Sequence, residues 1–287
     1  MSGARETDEF GNAPQSELTA HATRPEEGTL ETVQSTDGTA IAYQRSGEGP
    51  ALILVVGAFC DRSTTADLTP LLASHFTVYE YDRRGRGSSG DSPDYSIQHE
   101  VDDLAALISE AGGSAFVYGH SSGAALALEA AARGVAISGV VAYEPPYTAM
   151  DDGTGGSTEL LEAVRARIAA GDRDGAASLF LQGAGTPAEV LPMIRQSPGW
   201  PGMLELAPGL VYDLTLCNGG VVPRERLATI GVPTVAVSGG ASGDWARRAG
   251  EAVADVVPGA RHVVLDGQTH AVAHDAIAPV LLDAFRA

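Results

Sequence analysis

The stretch Ala115-Phe-Val-Tyr-Gly-His-Ser-Ser-Gly-Ala-Ala-Leu-Ala-Leu128 is a short apolar run that breaks at a G-x-S-x-G motif and resumes as an Ala/Leu-rich helical pattern. A strand, a sharp turn and a helix in that order set a serine hydroxyl at the tip of a sheet. Gly119 and Gly123 have a steric job in such a turn. It holds Ser121 in a strained backbone conformation, and side chains two residues to either side would collide. The motif alone is weak, because a chain with 35 glycines in 287 residues yields one by chance roughly 0.3 times. Context carries the weight: Phe116, Val117 and Tyr118 suit a buried strand, and Ala124, Ala125, Ala127, Ala130 and Ala131 let the helix pack close to it. The expectation is an exposed, attack-ready hydroxyl at Ser121.

Working outward, residues 1–28 mix Glu, Asp, Ser, Thr, Gly and Pro without apolar periodicity and read as a solvated, disordered tail. From Thr29 the pattern is regular. Leu30 to Thr36 and Ala40 to Arg45 read as a hairpin about Asp37-Gly38, and Ala51 to Val56 as a buried strand. Phe76 to Tyr81, Ala115 to Tyr118, Ile137 to Tyr143, Thr234 to Val237 and His262 to Leu265 complete eight strands, with helical segments such as Ile97 to Ala111 alternating after the third. This predicts an α/β fold: a mostly parallel eight-stranded sheet with helices on both faces. The alternation stops over residues 145–222, where helix starts occur without strand signals, so that segment is expected to be a helical lid on a core of residues 29–144 and 223–287. Within it, Ser157 is placed to cap a helix along Leu160, Leu161, Val164 and Ile168, and Thr186-Pro-Ala-Glu189 reads as a capping box.

Composition limits the chemistry. The chain has no lysine, so its 18 positive charges are all arginine, against 37 carboxylates for a net charge of -19. Without lysine there is no Schiff base, no lysine-bound pyridoxal phosphate, no Walker-A phosphate clamp and no Ser-Lys dyad. The acidity argues against nucleic acid or an anionic membrane as partner, since both need a positive field. A small-molecule substrate is the expected partner. No apolar run is long enough to span a bilayer and no leader pattern opens the chain, so a cytoplasmic location is expected. Cys60 and Cys217 form no C-x-x-C pair, and no H-E-x-x-H or tight His/Asp cluster occurs. Neither a metal nor another cofactor is expected.

Together these segments resemble the α/β-hydrolase fold superfamily over nearly everything from Thr29 to Arg286. Val56-Gly-Ala-Phe59 resembles its oxyanion segment, Asp82-Arg-Arg-Gly-Arg-Gly-Ser-Ser89 its D-x-R-G-x-G-x-S turn, Ser121 its nucleophile, and Gly267-Gln-Thr-His270 the segment that carries its general base. The resemblance implies backbone donors to an oxyanion at Ser122 and Ala58, with Phe59 as the alternative to Ala58. A serine hydroxyl needs a base, and an imidazole is suited both to take its proton and to return it to the leaving group. His274, four residues on, is the rival to His270. The usual acid slot, three residues after a Gly closing the seventh strand, holds Ser242. Two carboxylates are left as triad acid: Asp244, two residues later, and Glu144 after the sixth strand, a placement similar to fungal lactonases acting on zearalenone. Glu144 is preferred, because a carboxylate at the end of a central strand lies where α/β active sites gather.

The implied activity is a cofactor-independent serine hydrolase, carboxylesterase or lactonase in type, acting on an acyl bond through an acyl-enzyme on Ser121. Ser at the elbow disfavours dehalogenase and epoxide-hydrolase chemistry, which use a carboxylate there. Phe59, Tyr143, Tyr147 and Trp200 are candidate substrate contacts and suggest a mid-sized, apolar substrate. The other reading is a non-hydrolytic member of the same fold: a ligand receptor, or a lyase, cyclase or perhydrolase. Asp82 to Arg86 reads mainly as a structural turn with solvated or paired arginines, and Asp61 and Arg62 as better placed for a ligand.

Overall fold

The computed structural model describes residues 29–148 and 158–286. Strands β1 (Glu31–Gln34), β2 (Ala40–Ser46), β3 (Ala51–Val55), β4 (Thr77–Tyr81), β5 (Ala115–His120), β6 (Ile137–Tyr143), β7 (Thr234–Gly239) and β8 (Arg261–Leu265) form one sheet ordered β1-β2-β4-β3-β5-β6-β7-β8. β2 pairs antiparallel with β1 and β4, and the remaining neighbours pair parallel. The helices are α1 (Thr69–Leu72), α2 (Ile97–Glu110), α3 (Ser122–Ala132), α4 (Glu159–Ala169), α5 (Arg173–Gly183), α6 (Leu191–Arg195), α7 (Trp200–Leu206), α8 (Leu210–Leu216), α9 (Arg224–Leu227), α10 (Asp244–Val256) and α11 (His274–Ala284).

The central strands read as unbroken apolar runs because both of their faces are covered. Ile53, Val55, Val117, Val140, Ala142 and Ala236 face one core with α2, α3 and α10. Their neighbours Leu52, Leu54, Tyr118, Val141, Tyr143, Val235 and Val237 face the other, with α1 and α11. Each fully buried Val, Leu or Ile contributes about 1.5–3 kcal/mol, so the two-residue alternation also fixes the register. Strand order reverses between β3 and β5. Their carboxyl ends therefore open a crevice, and the Ser121 turn and the Val56–Phe59 loop emerge side by side at it.

Between β6 and β7 the described residues form helices without strands. Ala58 and Phe59 pack under a small apolar cluster of Val164, Ala176, Ala207 and Leu210. The expected cap Ser157 and the tail of residues 1–28 lie outside the described residues. α4 begins after Thr158, which makes no side-chain cap bond, whereas Asp172 caps α5 by accepting from the Gly175 N–H at 2.8 Å. The capping box at Thr186 does not start a helix. The Thr186 N–H bonds back to Leu181 O at 2.9 Å and closes the end of α5, so the next helix waits until Leu191.

Candidate active site

Three non-glycine residues of this crevice hold positive φ: Phe59 at 56°, Ser121 at 56° and Glu144 at 47°. Such angles are strained for side-chain-bearing residues, and they cluster where geometry is set for chemistry. At Ser121 the elbow is enforced by close packing. A Cβ on Gly123 would lie 2.2 Å from Val55 O, one on Gly119 2.6 Å from Ala124 Cα, and one on Gly57 2.8 Å from Ser121 Cβ. The half-buried Ser121 hydroxyl makes no hydrogen bond among the described residues, and its N–H donates to Tyr143 O at 2.9 Å.

His270 meets Glu144, not Asp244. Its Nδ1 lies 2.6 Å from Glu144 Oε2, and Glu144 Oε1 accepts from the Gly239 N–H at 2.7 Å and from Ser242 Oγ at 2.6 Å. The Glu144 side chain is fully buried and that of His270 is 45% exposed. Burial alone would raise the Glu144 carboxyl, but the hydrogen bonds from His270, Ser242 and Gly239 outweigh it and hold it below the usual carboxylate range. An ionised carboxylate only accepts, so the His270 Nδ1–H is the donor of this pair. Asp244 sits exposed in the first turn of α10.

Two aromatic neighbours frame the imidazole. His120 donates from Nε2 to the His270 carbonyl at 2.8 Å and stacks on Tyr143, and its pKa is lowered to about 4 by burial and by the nearby His270. The Trp245 ring lies 5.7 Å from that of His270. The sequence reading passed over Trp245, although its place just after β7 is where such sites gather contacts.

The Val56–Phe59 loop carries the N–H groups of Ala58 and Phe59, and Ser122, the first residue of α3, has an N–H that no helical partner can take. Among the described residues neither Ala58 N–H nor Ser122 N–H donates to a protein acceptor. Phe59 stacks edge-on with Phe180 at 5.3 Å and stays partly exposed. The other three substrate-contact candidates are packed away. Tyr143 is fully buried with its hydroxyl on Thr269 O at 2.6 Å, Tyr147 lies in the core beneath α3, and Trp200 is buried with its N–H on Asp174 at 3.2 Å.

The arginine turn is a buried ionic cluster rather than a solvated loop. Arg83 binds Glu100 and Asp213, Arg84 binds Asp103 and Asp37, Arg86 binds Asp213, and Arg62 is spent on Asp82. Asp61 caps a short 3-10 turn by accepting from the Ser63 N–H. Asp213, from α8, was not foreseen. Burial would raise its carboxyl, but Arg86 and Arg83 overcome that and lower it.

A family model described as alpha/beta hydrolase family matches residues 52–279. The chain is similar to the crystal structure of an alpha/beta hydrolase from Sphaerobacter thermophilus, at 46% identity and a TM-score of 0.84, covering 89% of this chain and 100% of that one. It is also similar to an N-formylmaleamate deformylase of Pseudomonas putida, 36% identical over 119 residues, which are 40% of this chain and 44% of that protein. The chain thus spans less than half of that relative's length. An enol-lactonase from Burkholderia xenovorans shares the fold, with a TM-score of 0.67 at 23% identity over 88% of this chain and 99% of that one.

Proposed function

The chain belongs to the alpha/beta hydrolase family, and on that premise we propose that it is a cofactor-independent serine hydrolase cleaving an ester, lactone or related acyl bond. The observation that carries this reading is the 2.6 Å contact of His270 Nδ1 with the buried, doubly braced Glu144, beside a serine held at φ 56°. Glu144 orients His270 and fixes its tautomer. His270 Nε2 takes the Ser121 proton as Oγ adds to the substrate carbonyl carbon, and the Ala58 and Ser122 N–H groups receive the oxyanion. Collapse of the adduct expels the alcohol or amine, which takes the proton from His270. Water then repeats the sequence on the acyl-enzyme.

The half-exposed His270 leaves a route for the water that deacylation of an acyl-enzyme consumes, which favours hydrolysis. Phe59, Phe180 and the apolar cluster above them favour a mid-sized apolar acyl or alcohol group, with the described helices between β6 and β7 as the lid over it. A relative named for removing a formyl group fits acyl chemistry.

Intact-mass spectrometry after exposure to a fluorophosphonate tests the reading. One adduct per chain is expected, absent in Ser121→Ala and greatly slowed in Glu144→Gln. Folded wild type that takes up no adduct and turns over no p-nitrophenyl ester would overturn it.

A further inference from the structure

Both residues offered above as oxyanion donors rest on one buried charge cluster. Arg86 Nη1 donates to Gly57 O at 2.6 Å and to Cys60 O at 3.3 Å, while Arg83 Nη1 donates to Val56 O at 3.2 Å. Both guanidiniums converge on Asp213 Oδ1, at 2.7 and 2.8 Å, and the same oxygen accepts from Ser122 Oγ at 2.6 Å. The other Asp213 oxygen has no partner among the described residues, so all of this carboxylate's hydrogen bonding falls on that one point.

The peptide joining Gly57 to Ala58 is trans, so its C=O and N–H point in opposite directions. Holding the carbonyl on Arg86 therefore turns the Ala58 N–H away from Arg86. A cation on the carbonyl oxygen also polarises the amide and strengthens its N–H as a donor. Phe59 N–H belongs to the next peptide, which this contact does not orient. A buried guanidinium needs a carboxylate to stay in place. Arg83 has Glu100 as well, but Asp213 is the one carboxylate that Arg86 meets among the described residues.

We propose that Asp213 is a positioning residue for the oxyanion hole: by anchoring Arg86 and Ser122 it fixes the Ala58 and Ser122 N–H groups toward the reacting carbonyl. The segment between β6 and β7 then supplies part of the machinery for transition-state binding as well as cover for the substrate. The inference rests on the reading of Ser121 as the acylated nucleophile.

The test uses Asp213→Asn and, because that variant leaves Arg86 buried without a counter-charge, the double variant Asp213→Asn/Arg86→Gln, which removes both charges together. Turnover of p-nitrophenyl butyrate, thermal melting and the amide resonance of Ala58 are followed in each. The expected result is a kcat about 100-fold lower with KM changed less than about threefold, in protein still folded at the assay temperature, and a shifted Ala58 resonance. Wild-type kcat in the folded double variant, or a loss that only tracks the unfolded fraction, overturns the proposal. If the folded wild type takes up no fluorophosphonate and turns over no ester, the serine-hydrolase reading falls by itself. The Ala58 resonance then decides the positioning role, which an unmoved signal overturns and a moved one supports.

Discussion

In the proposed triad, Glu144 and Ser242 divide between them what one residue does in the commoner arrangement. The carboxylate comes from the end of β6, and the residue in the usual acid slot after β7 hydrogen-bonds to it. Ser121 and His270 could be singled out as candidates because each sits in a short local pattern. The brace was not, since Ser242 and Glu144 lie 98 residues apart and only the β6–β7 pairing brings them together. Glu144→Gln is expected to lower kcat about 10⁴-fold, because the amide oxygen stays on Gly239 and Ser242 and an N–H donor then faces His270 Nδ1 and imposes the wrong tautomer, while Asp244→Asn changes it less than about twofold. The opposite ranking in steady-state kinetics would return the acid to Asp244. Ser242→Ala removes one of the hydrogen bonds that keep the Glu144 carboxyl below its usual range. A carboxylate lowered on folding stabilises the protein above its unfolded pKa, about 4.3, and that contribution is lost as pH falls through the lower folded value. The variant is therefore expected to be about 1 kcal/mol less stable at pH 7, with the gap closing in acid. Urea titrations from pH 7 to pH 3 read this, and a gap independent of pH would show that the hydroxyl does not act through the carboxylate.

At the scale of elements, the strands were legible to within one or two residues at most ends, because their composition differs sharply from the Gly- and Pro-rich turns. Helix starts were less so. Thr186 had the side chain and spacing of a cap, but its N–H was already committed to closing α5, a bond that depends on where the preceding helix ends. Close approach explains the elbow glycines, and two glycines separate packing from propensity. A Cβ on Gly123 would meet backbone atoms Val55 O at 2.2 Å and Val55 C at 2.7 Å, in a central strand that cannot give way. Gly202, inside α7, has nothing within 4 Å of such a Cβ. Gly123→Ala is expected to cost about 3 kcal/mol or more and to abolish turnover, whereas Gly202→Ala gains about 0.5–1 kcal/mol by stiffening the unfolded chain and favouring helix. Urea midpoints check both, and a Gly123→Ala protein of wild-type stability would mean that the elbow does not need its close contact with β3.

For the whole molecule, charge is arranged in two regimes, of which only one responds to salt. Arg83, Arg84 and Arg86 are buried against Glu100, Asp103 and Asp213, out of reach of mobile ions. The sequence marked these arginines as a turn but could not show their burial, because Asp213 arrives 130 residues after Arg83 and 127 after Arg86. Outside this cluster the net charge of -19 leaves a surface dominated by carboxylates. Its exposed ion pairs, such as Arg165 with Glu162 and Arg247 with Glu251, each contribute little. Like charges held together by folding repel over about a Debye length, roughly 10 Å at 0.1 M salt, and added salt shortens that range. Screening should therefore relieve surface repulsion and leave the buried pairs untouched. Tm is expected to rise by several degrees between about 0.02 M and about 0.5 M sodium chloride, with Asp213→Asn/Arg86→Gln shifted by the same amount as wild type. A Tm that falls with salt would show that surface ion pairs outweigh the repulsion. A rise confined to the double variant would show that the Asp213 cluster is open to solvent ions.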